Sequence, residues 1–496
     1  MNGPEKGPPS RRSERDERAY VVELFKLYLG EEHQRRPHLA VNYERAIIDY
    51  LREIGICIKE KITTNFPEIG FLENVLLVLT IPAEYSEEAK ATMRDCAYKA
   101  GLIRDRTSEQ LQFTTEPEAA AIYCIDSLRE HDLDVGATFM IVDCGGGTVD
   151  LTTRKLLEGG RLGEITERIG DYCGSTFIDA EFIKYLKNEH NLGDAIDSME
   201  INYYGQMQYL IQEFCRYAKL PFTGDDPNFY YEVDLEVLSE YANDEVKEAM
   251  GAIDWVVKLD SATIKSMFDP IVERILRMIH IQLDNSHEEC SVMFLVGGFG
   301  QSAYLRNRIR QEFQHRVRNI SAPTNPIAAI SRGAAIYGRS FRGADGMIDI
   351  DGMKSIIDSR VLKFTYGVKV LSVGSDEETG GKFRFSTIVQ KGTEVSTDEG
   401  FGREFSPALP FQKSALFEIY YTRRYEAKSI DEPGIRLLGK LKIDLPDVNL
   451  GTERPVAFRL TFGRMEITAT ANNKINGQSY QTTFEIDREE QRINTF

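Results

Sequence analysis

Apolar residues recur at helical intervals between Leu39 and Ile62, with Ile47, Ile48, Leu51 and Ile54 among them, so this stretch is predicted as a helix. The run ENVLLVLTIP (73–82) is almost unbroken in apolar or β-branched residues. Such a run predicts a strand buried on both faces and stopped by Pro82. A helix with readable ends follows. Ser86 suits the N-cap, Glu87 and Glu88 suit the positive end of the dipole, and Gly101 sits where a C-cap belongs. Ala89, Met93, Cys96, Ala97 and Ala100 form its apolar face. A short strand, LQFTT (111–115), leads into a second helix with Pro117 in its first turn, a favoured place for proline. Strand and helix alternating in this way predict an α/β sheet layered with helices.

The pattern changes to a hairpin over 139–156, FMIVDCGGGTVDLTTRKL, and then to mixed helices through about Ile281. Strand, glycine turn and helix recur at 291–313, SVMFLVGGFGQSAYLRNRIRQEF. Residues 341–359 are polar and glycine-bearing, which marks a linker. From Arg360 onward the reading is nearly all strand. Phe458, Leu460 and Phe462 alternate with Arg459 and Thr461, Gly463-Arg464 can turn, and Met465, Ile467 and Ala469 resume the alternation. Residues 1–38 are charged and proline-rich, and they read as an irregular or disordered tail. The expected plan is therefore a tail (1–38), an α/β domain (39–340), a linker (341–359) and a β-rich domain (360–496).

Composition narrows the class. A chain of 496 residues exceeds what one core organises, so more than one domain is expected. The net charge of −18 repels nucleic acid and anionic lipid, and neither is expected as a partner. Seven scattered cysteines, with no close pair, fit a reducing compartment rather than a disulfide frame or a zinc site. The first residues lack an apolar signal core, and no run approaches the length of a membrane span. A soluble protein of the cytoplasm, or of the nucleus, is the expectation.

Three segments carry candidate chemistry. In IVDCGGGTVDL (141–151) a buried strand delivers Asp143 to its end, and Gly145, Gly146 and Gly147 turn the backbone before Thr148. Glycines let phosphate oxygens approach backbone N–H groups, and a carboxylate here suits a hydrated magnesium ion. A plain glycine-turned hairpin is the other reading. In FTTEPEAAAIY (113–123), Glu116 stands at a strand-to-helix junction, where it either orients a water in a cleft or simply complements the helix dipole. In FLVGGFGQS (294–302), Gly297 and Gly298 end a strand before a helix, a shape that lies against a nucleoside or phosphate, or that serves close packing.

Taken in order, Glu116, the Asp143–Thr148 loop and Gly297-Gly298 resemble the nucleotide domain of the seventy-kilodalton heat-shock family, which has the actin-like (ribonuclease H-like) two-lobed fold. GDYCGSTFID (170–179), RYAKL (216–220) and NPIAAISRGAAIYG (325–338) extend the resemblance across about 39–338. LLGKLKIDLP and RPVAFRLTFGRMEITATAN resemble the family's peptide-binding β-sandwich. The pattern is similar to the divergent subgroup typified by the mammalian heat-shock protein twelve type and its fungal relatives. The resemblance implies that ATP or ADP binds with magnesium and that Asp143 holds the ion through water. It implies that Gly145, Gly146, Gly147 and Thr148 bind phosphates and that Glu116 positions the attacking water. Gly297, Gly298, Phe299, Gly300 and Gln301 would bound the adenosine from one side, Arg216 and Lys219 from the other. Client proteins and co-chaperones would be the protein partners.

Several family features are missing from this sequence. The only phosphate hairpin motif is at Asp143; a second one of the D-x-G-T-T type, and the three strands that carry it, are not found, so the ATPase domain is expected to be N-terminally incomplete. Strand 74–80 would then show an open edge. No phosphate-contacting lysine is identified. Arg216 stands where glutamate is usual, Leu220 where arginine is usual, and Ile327 where aspartate is usual. The linker lacks the leucine-rich stretch, and no helical lid is found before Phe496. The expected function is an ATP-binding chaperone-like protein with weak or absent ATP hydrolysis. The alternatives are a nucleotide-independent protein-binding scaffold and a small-molecule kinase of the same superfamily, against which the β-rich residues 360–496 argue.

Overall fold

The computed structural model describes residues 22–30, 39, 41–83, 85–130, 133–341, 356–371, 383–396, 399–462 and 466–483. The first lobe opens on a short 3₁₀ helix, Phe25–Leu29, which buries Leu27 and Leu29. Part of the segment read as a tail is thus packed into the domain. Asn42 caps the following helix α1 (Tyr43–Asn65) by accepting the Glu44 and Arg45 N–H groups. A single turn α2 (Phe71–Asn74) precedes strand β1 (Leu77–Ile81). Helix α3 (Glu87–Lys99) is capped by Ser86, as its sequence predicts. Its C-cap is Ala100, and Gly101 follows at φ 74°. Strand β2 (Leu111–Thr115) pairs with β1 in parallel, Leu77 opposite Leu111, and helix α4 (Glu116–Glu130) leaves its end directly.

The second lobe is built on the hairpin β3 (Thr138–Cys144) and β4 (Val149–Leu156), followed by β5 (Leu162–Glu164) and β6 (Ile169–Asp171). Helices α5 (Thr176–Glu189), α6 (Gly193–Asn202) and α7 (Tyr204–Phe214) come next. A small ribbon of β7 (Tyr230–Asp234) and β8 (Val256–Asp260) flanks α8 (Asp244–Gly251). The long helix α9 (Ser261–Asn285) returns the chain to β9 (Cys290–Val296). Then follow α10 (Ala303–Phe313), β10 (Asn319–Ser321) and α11 (Ala329–Arg339). The six-stranded sheet runs β10-β9-β3-β4-β5, with β6 also on β4, so β3 sits at its centre and is buried along its whole length.

Residues 342–355, the bulk of the expected linker, lie outside the described residues. Its far end is packed rather than free. Ile357 is fully buried, and the segment bonds to β5 through Leu162 N–H to the Ile356 carbonyl (2.8 Å) and Asp358 N–H to the Leu162 carbonyl (2.9 Å).

Two four-stranded sheets form the β-rich region. The first is β13 (Phe383–Val389), β12 (Thr365–Leu371), β16 (Ser414–Thr422) and β17 (Ile435–Asp444). The second is β15 (Gly400–Phe405), β18 (Val456–Thr461), β19 (Thr468–Asn473) and β20 (Ser479–Thr483). A short pair, β11 (Ser359–Val361) with β14 (Glu394–Ser396), joins this region to the lobes. Val368, Ile419 and Ile443 of one sheet share a single core with Phe458, Leu460 and Ala469 of the other. The alternation read at Phe458–Phe462 faces that core, while the expected turn at Gly463-Arg464 and Met465 lie outside the described residues.

Candidate functional site

The β3–β4 turn is fixed by its neighbours. Gly145 N–H donates to the Thr148 carbonyl at 3.0 Å, closing the loop. The carbonyls of Gly145, Gly146 and Gly147 then accept N–H groups from Ser175, Thr176 and Gly174 at the start of α5, at 3.1, 2.9 and 3.2 Å. With those carbonyls committed, the loop has N–H groups left to offer a ligand, which is what a phosphate needs. Gly174 cannot be another residue, since a Cβ there would collide with the Gly146 carbonyl. Gly297 is constrained twice, by φ 79° and by a Cβ position against the Cys144 carbonyl and Asp143. The two glycine segments, 150 residues apart in chain order, therefore meet at the end of β3.

Around that point the charges converge. Asp143 and Asp150 lie opposite each other in the hairpin register, and both are buried. Asp150 accepts the Ala83 N–H at 3.0 Å, tying the hairpin to the end of β1 in the first lobe. Glu116, at the start of α4, pairs with the Lys26 ammonium. Lys26 projects from the 3₁₀ helix, and the Tyr85 hydroxyl holds its carbonyl at 3.1 Å. The walls of the cleft disfavour the Lys26 charge, but Glu116, with Asp150 and Asp143 beyond it, outweighs them and raises the ammonium above its usual range. Burial, followed by Glu116 and Asp150, pushes the Asp143 carboxyl well above the carboxylate range, against the pull of Lys26.

A lysine thus stands in the cleft after all. It was missed because Phe25-Lys26-Leu27 reads as one polar residue between apolar ones in a stretch with no predicted element. Asp150 was legible within the hairpin motif but was not singled out. The donor set also fits a hydrated cation. One Asp143 oxygen, Oδ1, is buried with no hydrogen-bond partner, and carboxylates around it outnumber the lysine. Magnesium prefers such oxygens and keeps part of its water shell.

The remaining residues divide. Gly298 and Gln301 are exposed, whereas Gly300 is buried and the Phe299 ring turns inward to pack near Phe268. Lys219 is buried at the end of a π-helical turn (Cys215–Lys219), and its ammonium donates to Asp179 at 2.6 Å and to the Ser175 carbonyl at 2.7 Å. Arg216 is at the surface, 3.8 Å from Glu213.

Two residues beyond Glu116, a second charge cluster is fully enclosed. Glu118 accepts from Arg154, Arg168 and Arg360 at 3.1, 3.2 and 2.8 Å, and Arg154 also pairs with Glu164 at 3.1 Å. Arg360 belongs to β11, so this cluster joins the lobes to the β-rich region. Arg94 and Glu466 add a two-bonded pair across the same junction, at 2.7 and 2.6 Å. In the β-rich region itself a cleft of about 470 Å³ opens between the end of β12 and residues 405–408, lined by Val370, Leu371, Phe405, Pro407, Ala408 and Leu416.

The profile of the family described as Hsp70 protein matches residues 69–420, which begins after α1 and takes in the rest of both lobes, the junction and part of the β-rich region. The chain belongs to the Hsp70 family. It is 23% identical to human heat shock 70 kDa protein 12B over 86% of this chain and 73% of that protein. It is 25% identical to human heat shock 70 kDa protein 12A, over 80% and 68%. An archaeal relative, chaperone protein DnaK of Methanothermobacter thermautotrophicus, is 24% identical over 75% of this chain and 55% of its own length. The chain is a divergent Hsp70 family member, and its two-lobed body is an actin-like ATPase domain followed by a β-rich region. Membership supports a nucleotide-binding, chaperone-like protein. Among the described residues no helix is long and apolar enough to cross a membrane.

Proposed function

We propose that this Hsp70-family chain binds Mg-ATP weakly between the Gly145–Thr148 loop and the Gly297–Gln301 loop, and hydrolyses it slowly if at all. The observation that carries this reading is the meeting of two glycine segments at Asp143, with Lys26 and Glu116 opposite. Asp143 would hold magnesium through water, and the ion would neutralise phosphate charge. The loop N–H groups and the Thr148 hydroxyl would bind phosphate oxygens, each charge-assisted bond contributing roughly 1.5–3 kcal/mol. Glu116 would orient a water and Lys26 would meet the terminal phosphate, so positioning and electrostatics supply the rate. In the free protein these two side chains neutralise each other. Each must be released before it acts, which favours slow turnover.

The cleft beside Val370, Leu371 and Phe405 joins apolar walls to the polar side chains of Lys369, Ser406 and Gln412, and has room for side chains of an extended client segment. The Glu118–Arg360 contact would let the nucleotide state bias that region. A nucleotide-independent scaffold is the second reading, favoured by Arg216 lying at the surface and Lys219 being committed to Asp179.

Calorimetric titration with Mg-ATP separates the two. Weak, magnesium-dependent binding that disappears in Thr148→Ala is expected. Absence of any heat at high nucleotide concentration would leave the scaffold reading standing, and sub-micromolar affinity with rapid turnover would overturn the slow-ATPase reading.

A further inference from the structure

Arg154 and Arg454 are the two largest side chains that the protein buries completely. The first has Glu118 and Glu164 beside it. The second, two positions before β18, has no carboxylate within ion-pair distance among the described residues. All four of its hydrogen bonds go to main-chain carbonyls. Nε donates to Gly451 at 2.7 Å, Nη1 to Gln412 and Leu445 at 2.9 and 3.0 Å, and Nη2 to Pro410 at 2.8 Å. Enclosing a cation costs much of what its contacts return, and well-packed apolar residues often do as well or better. What the guanidinium supplies is geometry. Its five donors lie in one rigid plane, and here they hold three separate chain segments together.

Those segments build one side of the cleft in the β-rich region. Gln412 and Leu445 line it, and so do Pro407 and Ala408 from the loop that joins β15 to β16. Beyond buried Pro407 this loop has no apolar anchor of its own. None of residues 408–413 is buried, and Leu409 and Phe411 stand 67% and 81% exposed. Polar bonds set its place instead. The Gln412 side chain accepts the Ala408 N–H at 3.2 Å and donates to the Ser414 carbonyl at 2.7 Å, which shapes the loop from within. The ties to the sheets are the Leu445 N–H on the Lys413 carbonyl, at 2.8 Å, and the two Arg454 bonds to Pro410 and Gln412.

We propose that Arg454 is a positioning residue for the cleft, holding the 408–412 wall in place before a client arrives. An extended segment then meets a built surface and spends little binding energy on ordering it. The effect falls mainly on release, since related complexes differ chiefly in how fast they come apart. Lysine cannot replace the arginine, because three donors on one flexible stem do not reach three segments at once. The inference rests on the reading of this cleft as a client site.

The test uses the full chain and a fluorescein-labelled, leucine-rich heptapeptide, followed by anisotropy. Arg454→Lys should bind the peptide about tenfold more weakly, mostly through faster release. The Ala408 and Gln412 amides, protected from hydrogen exchange in the wild type, should lose protection in the same variant. Leu460→Ala, which empties part of the shared core away from the loop, should lower stability and leave peptide release unchanged. If the lysine variant fails to fold, Arg454→Gln removes the enclosed charge, keeps two donors and makes the same comparison. Unchanged release in a folded Arg454 variant would overturn the positioning role and leave the client reading standing. Release accelerated as much by Leu460→Ala would overturn it too, assigning Arg454 to general stability. Free exchange of both amides in the wild type would show that the wall is not held. No binding of the peptide by the wild type would sink the client reading and this role together.

Discussion

Two sheets of the ATPase body start from similar sequence and end in different states. TFMIVDC and LVLTI are both nearly unbroken apolar runs, and both predict strands buried on two faces. The first lies between β4 and β9, and all seven of its residues are buried. Among the described residues the second has one neighbour, and four of its five residues are half-exposed. An apolar run states that a strand needs cover; the neighbours decide whether it gets it. The cleft inherits this difference. Its buried carboxylates Asp143 and Asp150 ride on the enclosed sheet, while the open sheet contributes Glu116 at the end of β2 and the bond from Ala83 N–H to Asp150.

The sharpest way to test this asymmetry is to unbalance the enclosed side. Burial would raise the Glu118 carboxyl, but Arg360, Arg168 and Arg154 outweigh it and hold the carboxyl well below its ordinary value of 4.5. Glu118→Gln leaves three enclosed guanidiniums to share one remaining carboxylate, Glu164, a change expected to cost about 3–5 kcal/mol. Urea denaturation at neutral pH should show it. The pH dependence has a definite sign. A depressed carboxyl gives stability that is complete above about 4.5 and is lost as pH falls through the folded value, so wild type and variant should converge in acid. A constant gap down to low pH would show that Glu118 acts through packing and not through charge.

Matched truncations in the two strands probe the same contrast on a smaller scale. Ile141→Ala, in the fully buried centre of β3, should cost about 3–4 kcal/mol. Leu79→Ala in half-buried β1 should cost about 1–2 kcal/mol. Equal costs would mean that the β1 edge is covered in solution.

Most of the lobes could be read in the sequence, because their elements announce themselves locally. Ser86 caps α3, Pro117 sits in the first turn of α4, and the glycines of 145–147 mark the hairpin turn. The loops at Gly145 and Gly297 were legible for the same reason. What escaped was everything decided by distance in the chain. Lys26 reaches Glu116 across 90 positions, and Arg360 reaches Glu118 across 242. No local period or turn signal records such pairings. The half-buried state of β1 was legible only through the resemblance, since the run itself predicts full cover.

The smallest expected effect on stability belongs to Lys26, although the residue stands at the centre of the cleft. Its side chain is 47% exposed, and ion pairs with that much solvent contribute little, roughly 0–1 kcal/mol. The 3₁₀ helix that carries it is anchored elsewhere, by buried Leu27 and Leu29 and by the Tyr85 hydroxyl on the Lys26 carbonyl. A side-chain change leaves all three in place. Lys26→Gln should therefore shift the urea midpoint hardly at all. If the ammonium meets the terminal phosphate, the same variant should lose affinity for Mg-ATP more than for Mg-ADP, which lacks that phosphate. An equal loss for both nucleotides would assign Lys26 to the general field of the cleft. A large loss of stability would show instead that the Lys26–Glu116 pair, and not the apolar anchors, holds the 3₁₀ helix to the start of α4.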